Sequence, residues 1–234
     1  MSRGKFFVFE GLDGSGKSTQ AKLLARKLEE GGYKIEKIDF PQYGKKSAGL
    51  VEEYLNGGYG SSEKVGPYRA SIFYACDRYD ASFQIKKWLE EGKIIISDRY
   101  LVSNIGHQGG KIQDKNEWEE YVNWIYNLEY NIFEIPKPEF TIILKTSPEF
   151  TLKLAHDITD EEKKAKRKAY LGDKKRDIHE EDINHQTAAL GSYLNLARKF
   201  PEEFRVIECI KNGNLRTREE IHQEIWQIVK EKLE

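Results

Sequence analysis

A chain of 234 residues, with 33% charged and 38% hydrophobic side chains, is long enough to bury one generous core. Its net charge of -1 gives no global pull toward DNA, RNA or an anionic membrane, so any anion binding must be local. No apolar run approaches the roughly 18 residues of a membrane span, and the N-terminus leads straight into a strand-like segment. Cys76 and Cys209 lie far apart without a CxxC partner, which predicts reduced thiols in a cytoplasmic protein rather than a disulfide framework or metal site.

Residues 5–9 (KFFVF) predict a short buried strand. Residues 18–30 place leucines and alanines at helical spacing and stop at Gly31-Gly32. A second strand over 34–39 is closed by Pro41, and a long helix over 68–91 ends at Gly92. Residues 93–97 (KIIIS) predict a central strand. A helix over 116–134 repeats Trp118, Val122, Ile125 and Leu128 on one face. Residues 140–144 (FTIIL) predict another strand, 180–199 a helix, 204–207 a strand and 218–233 a closing helix. Strands alternating with helices of this length predict an α/β fold: a parallel sheet with helices on both faces, joined by right-handed crossovers. Residues 157–182 break the pattern with charges of both signs, which taken alone describe a solvated face or a loop.

The strongest motif is Gly11-Leu12-Asp13-Gly14-Ser15-Gly16-Lys17-Ser18, which fits GxxxxGK[ST] between a predicted strand and a predicted helix. Glycines let successive backbone N–H groups turn inward onto phosphate oxygens, and the helix N-terminus adds partial positive charge. Lys17 is predicted to reach the β- and γ-phosphates of ATP and the Ser18 hydroxyl to ligate Mg²⁺. A second candidate site follows the central strand as Asp98-Arg99-Tyr100. Ligands of doubly wound sheets sit beyond the carboxyl ends of strands. An aspartate there can hold Mg²⁺ through its waters, and an arginine can grip a phosphate with its fork. Standing alone, Asp98 reads equally as a helix N-cap and Arg99 as a surface ion-pair partner.

The segment from Phe9 through Thr19 resembles the opening of thymidylate kinases, and Asp98-Arg99-Tyr100 resembles their second signature. Phe40-Pro41-Gln42-Tyr43 is similar to an FPxY stretch of bacterial members, and the run from Phe73 to Arg78 to their base-binding helix. The resemblance covers nearly the whole chain. It implies one nucleoside monophosphate kinase domain over 1–234, a three-layer P-loop NTPase-type parallel sheet of about five strands, and a mobile lid near 157–182. It further implies ATP-dependent phosphorylation of dTMP to dTDP with Mg²⁺ as cofactor and a homodimer packed through the long helix. Nucleotides are the implied partners, with neither nucleic acid nor membrane among them.

The resemblance also assigns roles. Gly11, Leu12, Asp13, Gly14, Ser15, Gly16, Lys17, Ser18 and Thr19 would bind ATP, with Ser18 and Asp98 toward the metal. Tyr74 would stack on thymine, while Arg78, Asn104 and Gln108 would lie around the base. Phe40 and Tyr43 would pack near the sugar and acceptor phosphate, Asp13 near the 3′-hydroxyl and Arg99 on the phosphate. Taken alone, Tyr74 reads as a core aromatic and Arg78 as an ion-pair partner. Gly14 stands where one subgroup carries an arginine, whereas Arg167, Lys168, Lys174, Lys175 and Arg176 crowd the lid, so the chain resembles the lid-arginine subgroup. Arg176 is the expected catalytic lid residue, and Glu180 the acid that meets the nucleotide. The chain departs from the pattern at His107, where related sequences carry a tyrosine that blocks a ribose 2′-hydroxyl, and at Arg176-Asp177, where the family's order is often reversed. Two other readings share part of this pattern: a deoxynucleoside or other monophosphate kinase, and an ATP-binding protein that transfers nothing.

Overall fold

The structure, a computed structural model, describes residues 3–155 and 183–233, so the charged segment 157–182 lies outside the described residues. Five strands, β1 (Lys5–Gly11), β2 (Ile35–Asp39), β3 (Ile94–Asp98), β4 (Phe140–Lys145) and β5 (Phe204–Glu208), pair in parallel in the order β2-β3-β1-β4-β5. The helices are α1 (Lys17–Glu30), α2 (Gly49–Leu55), α3 (Ser62–Glu90), α4 (Val102–His107), α5 (Lys115–Tyr126), α6 (Pro148–Ala155), α7 (Ile183–Lys199) and α8 (Arg218–Lys230). The expected α/β sheet is thus observed, with five strands.

Strand alternation divides the core into two layers. Phe6 and Val8 of β1 face a cluster built from Ile85 of α3, Ile105 of α4, Val122 of α5 and Leu196 of α7. Phe7 and Phe9 face Leu24 and Leu28 of α1 and Ile221 and Ile225 of α8. Glu10 falls on the first of these faces and is fully buried there. Among the described residues no helix is long and apolar enough to cross a membrane.

Most predicted elements shift by only a few residues. α1 closes as expected at Gly31-Gly32: Gly32 takes φ 83°, and Tyr33 N–H donates to the Leu28 carbonyl at 3.1 Å. The long helix differs more. It begins with a turn capped by Ser61, breaks at Gly66 (φ 76°) and resumes at Pro67. Glycine tolerates the break, and proline suits the first position of the helix that follows. The helix predicted over 116–134 is α-helical only to Tyr126 and continues as a π-helix over Asn127–Ile132. Helices α2, α4 and α6 and the hairpin β6 (Ile210–Lys211) to β7 (Asn214–Leu215) had no predicted counterpart. That hairpin turns at Asn212 and Gly213, both at positive φ, as a two-residue primed turn requires.

Two contacts seat the short helices. Gly106 of α4 packs flush on buried Tyr193 of α7, where a Cβ would lie 2.3 Å from the ring. Lys111 braces α2, α3 and the segment after α4. Its Nζ donates to Ser62 Oγ and Gln108 Oε1 at 2.6 Å and to Tyr54 Oη at 3.2 Å. All three acceptors are neutral, and Glu63 acts on the ammonium only through space. Burial therefore lowers the Lys111 pKa to about 8.

We expect Gly106→Ala to overpack this contact and cost about 1–3 kcal/mol, lowering Tm by roughly 2–10 °C in a thermal melt. An unchanged Tm would show that Tyr193 can move aside. For Lys111, the unfolded chain keeps its proton up to roughly pH 10.4 while the folded chain releases it near 8. The unfolded state binds more protons in that window, so this group makes stability rise with pH. Melts from pH 7.5 to 9.5 should show wild type gaining stability relative to Lys111→Met; parallel curves would refute the lowered pKa.

Candidate active site

β1 ends at Gly11, and the chain turns through Ser15 into α1. Gly11, Gly14 and Gly16 all take positive φ, at 137°, 82° and 91°. At Gly11 a Cβ would stand 2.7 Å from the Leu144 carbonyl of β4, so both space and conformation require glycine. Gly16 caps α1 without a side-chain hydrogen bond, and the first turn carries no acid. The positive end of α1 is thus left for an external anion. Leu12 buries its side chain completely and contributes its carbonyl, which accepts from Ser15 N–H at 3.1 Å. The Ser15 hydroxyl is buried with no hydrogen-bond partner among the described residues. Lys17 is buried, and its Nζ donates to the Gly11 and Leu12 carbonyls at 3.0 and 2.8 Å. Gly14, Ser18 and Thr19 are half-buried around this loop.

β3 delivers the second motif to the same edge. Asp98 lies level with Phe9 of β1 and Asp39 of β2, half-buried at the strand end. Arg99 then takes φ 74°, a conformation L-residues rarely adopt. Its N–H donates to the Phe9 carbonyl at 2.9 Å, and its carbonyl accepts from Ser97 Oγ at 2.6 Å. The guanidinium spans toward the phosphate loop: Nη2 donates to Asp13 Oδ1 at 2.5 Å and Nη1 to Ser103 Oγ at 3.1 Å. Burial pushes the Asp13 carboxyl up, but Arg99 and then Lys17 outweigh it and hold the group well below the usual carboxylate range. Arg99 Nη1 also lies 3.1 Å from His107 Nε2. Guanidinium only donates, so that ring nitrogen accepts and the His107 proton sits on Nδ1, 3.3 Å from His185 Nε2 of α7.

A second wall lies beside this turn. Asp77 of α3 fixes the loop after β2: Oδ2 accepts from Gln42 N–H at 2.8 Å and Oδ1 from Ser47 Oγ at 2.7 Å. Phe40 is buried against Tyr100, centroids 5.5 Å apart. Tyr43 and Tyr74 pack on one small cluster around Val51, Tyr54 and Val65, with Tyr74 edge-on to Tyr54 at 6.3 Å. Asn104 donates from Nδ2 to the Ser71 carbonyl at 3.1 Å, and Gln108 is held by Lys111. Arg78 has an unforeseen partner. It is buried, and its Nε and Nη2 each donate to Glu129 of the π-helix at 2.6 Å, leaving Nη1 3.5 Å from the Tyr100 carbonyl.

The structure thus joins Asp13, Arg99 and His107 directly and seats Tyr43 with Tyr74. Arg176 and Glu180 lie outside the described residues. Sequence reasoning missed Glu10, Lys111, Glu129 and His185. A usable signal existed for Glu10, because strand alternation from Phe6 and Val8 places it on a buried face.

A family profile for thymidylate kinase matches residues 9–225. The chain is 30% identical to a probable thymidylate kinase of Pyrococcus horikoshii, over 99% of this chain and 98% of that protein. It is also 30% identical to a thymidylate kinase of Pelotomaculum thermopropionicum, over 99% and 95%. Thymidylate kinase of Candida albicans, solved in a study of its broad substrate specificity, aligns with a TM-score of 0.69 at 25% identity, covering 99% of this chain and 93% of that one. With the profile spanning nearly its whole length, the chain belongs to the thymidylate kinase family.

Proposed function

We propose that this chain transfers the γ-phosphoryl group of ATP to dTMP, forming dTDP, and that residues 1–234 act as one kinase domain. The observation that carries this is the Asp13–Arg99 pair, which sets a phosphate-gripping fork against a glycine loop at an uncapped helix end. Binding ATP alone would not call for the fork. A monophosphate has a second pKa near 6, so its attacking oxygen is ionised at neutral pH and no strong base is needed. The chemical problem is bringing two polyanions into line and stabilising charge on the moving group. Loop N–H groups and Lys17, released from the Gly11 and Leu12 carbonyls, would hold the donor phosphates. Arg99 would hold the acceptor phosphate. Tyr74 would offer a flat face to the base, with Phe40 and Tyr43 beside the sugar and Asn104, His107 and Gln108 along the opposite wall. Arg78, anchored by Glu129, would present its Nη1 edge.

Mg²⁺ fits the donor set. The Ser18 hydroxyl and Asp98 carboxylate are hard oxygen ligands, and the remaining positions suit water and phosphate oxygens. When bound it would supply charge neutralisation between the phosphates. Both free cysteines, Cys76 and Cys209, support a reducing cytoplasmic setting. For the partner we propose a second copy of the chain. Tyr68, Ile72, Tyr79 and Phe83 form a stripe along one side of α3 and remain 41%, 40%, 42% and 59% exposed. Such a contiguous apolar stripe on a long helix suits a symmetric interface.

ADP release with Mg·ATP, measured in parallel for dTMP, dUMP, UMP, dCMP, dAMP, dGMP and thymidine, tests the activity. We expect dTMP to be the best acceptor, with kcat falling at least about 100-fold in Lys17→Ala or Arg99→Ala while the fold persists. Preference for thymidine or a purine monophosphate would overturn the base pocket, and full turnover in either variant would overturn its assigned role. By sedimentation, wild type should be a dimer and Phe83→Glu a monomer; a monomeric wild type would remove the second copy.

A further inference from the structure

We propose that Glu10 is a positioning residue for the acceptor phosphate, holding the Arg99 fork through Ser103 and tying it to α7 through Tyr193. The inference rests on the reading of Arg99 as the phosphate-gripping group. Glu10 is the third inward residue of β1 after Phe6 and Val8, and none of its surface is exposed. A carboxylate in that place is costly unless its lone pairs are filled. They are filled by four donors. Oε1 accepts from Tyr100 N–H at 2.8 Å and Ser103 N–H at 3.0 Å. Oε2 accepts from Ser103 Oγ at 2.7 Å and Tyr193 Oη at 3.1 Å. Among the described residues no cation forms an ion pair with it; Arg99 and Lys17 act on it only through space.

The chemistry of these groups sets a direction. An ionised carboxylate only accepts, so the single Ser103 hydroxyl proton points to Oε2. The lone pairs of Ser103 Oγ are then left for Arg99 Nη1, 3.1 Å away. The order is Arg99 N–H to Ser103 O–H to Glu10, and each bond polarises the next. Asp13 grips the other end of the same guanidinium at Nη2, from a side chain that is 39% exposed. Three acceptors fix the plane of the fork, Asp13 at Nη2 and Ser103 with His107 at Nη1; without the Ser103 link the Nη1 end rests on His107 alone, whose ring makes no hydrogen bond to Glu10. Glu10 also draws in the Tyr100 and Ser103 N–H groups, which follow the strained Arg99 residue. One buried charge thereby gathers a strand, a turn and two helices around one guanidinium.

A mere helix cap would make the same backbone bonds, so the test must read Arg99. Glu10→Gln keeps the shape but puts an amide donor where Ser103 or Tyr193 needs an acceptor. We expect kcat/KM for dTMP to fall about tenfold or more while KM for ATP stays within about twofold. In an Arg99→Lys background the same substitution should cost less than about threefold, because the group it positions is gone. A direct readout independent of turnover is ¹⁵N NMR of the Arg99 guanidinium, assigned through Arg99→Lys. Its Nη protons should be distinct in wild type at low temperature and averaged in Glu10→Gln. Equal losses in both backgrounds, or an unchanged Arg99 spectrum, would overturn the proposal. Full dTMP turnover by Arg99→Lys with a changed Arg99 spectrum in Glu10→Gln would instead sink the phosphate-gripping reading and leave the positioning intact. Should Glu10→Gln fail to fold, Ser103→Ala removes the same link alone and decides by the same two measurements.

Discussion

The register of β1 against β3 governs the rest of the site. Phe9 lies level with Asp98, and Asp98 with Asp39, so β2 and β3 leave the sheet at one height and β1 two residues later, at Gly11. The glycine loop, the Asp98-Arg99 turn and the loop after β2 therefore share one edge. Arg99 N–H reaches the Phe9 carbonyl, and Phe40 N–H the Asp98 carbonyl, only in that register. A slip of one residue would turn Phe7 and Phe9 toward α4 and carry Glu10 to the α1 side, stranding a carboxylate among aliphatic side chains. Apolar packing on both faces thus fixes the position of the charged groups more firmly than those groups could fix themselves.

Three charged groups at this edge are met by protein partners. Lys17 lies on two carbonyls, Asp13 faces Arg99, and Glu10 is filled by four donors. A partly buried ion pair such as Asp13–Arg99 is a weak contributor to stability, since desolvation offsets much of the attraction. Their value lies in direction. A fork held at both ends and a hydroxyl with its proton assigned are already oriented before substrate arrives, so little reorganisation remains for the reaction. The strain at Arg99 fits the same view, because an unusual φ persists only where neighbouring bonds over-determine it.

Much of this was legible in the sequence, for physical reasons. Long apolar strands, a glycine loop between strand and helix, and an Asp-Arg pair after a buried run are local signals. What stayed hidden depends on partners distant in the chain. Glu129 reads as an ordinary acid on an amphipathic helix until the π-turn and Arg78, 51 residues away, are seen together. Lys111 reads as a surface lysine after two glycines, yet Tyr54, Ser62 and Gln108 enclose it. His185 meets His107 across 78 residues. Helices α2 and α4 carry too few residues to show a period, and they form because tertiary contacts seat them.

Arg78 shows how the hidden part changes the meaning of the legible part. The resemblance points to an arginine facing a base, and the sequence permits a surface ion pair. The structure shows a third arrangement, with two donors committed to a fully buried carboxylate. A free arginine could swing between partners, whereas this one can turn only as far as Glu129 allows. Its remaining nitrogen points along the Tyr100 carbonyl, toward the turn that also carries Arg99. The two arginines thus meet the same short segment, Arg78 at the Tyr100 carbonyl and Arg99 within the backbone itself. Since arginine only donates, every partner here accepts: the Glu129 carboxylate and the Tyr100 carbonyl for Arg78, and the Asp13 carboxylate, the Ser103 hydroxyl and the His107 ring nitrogen for Arg99.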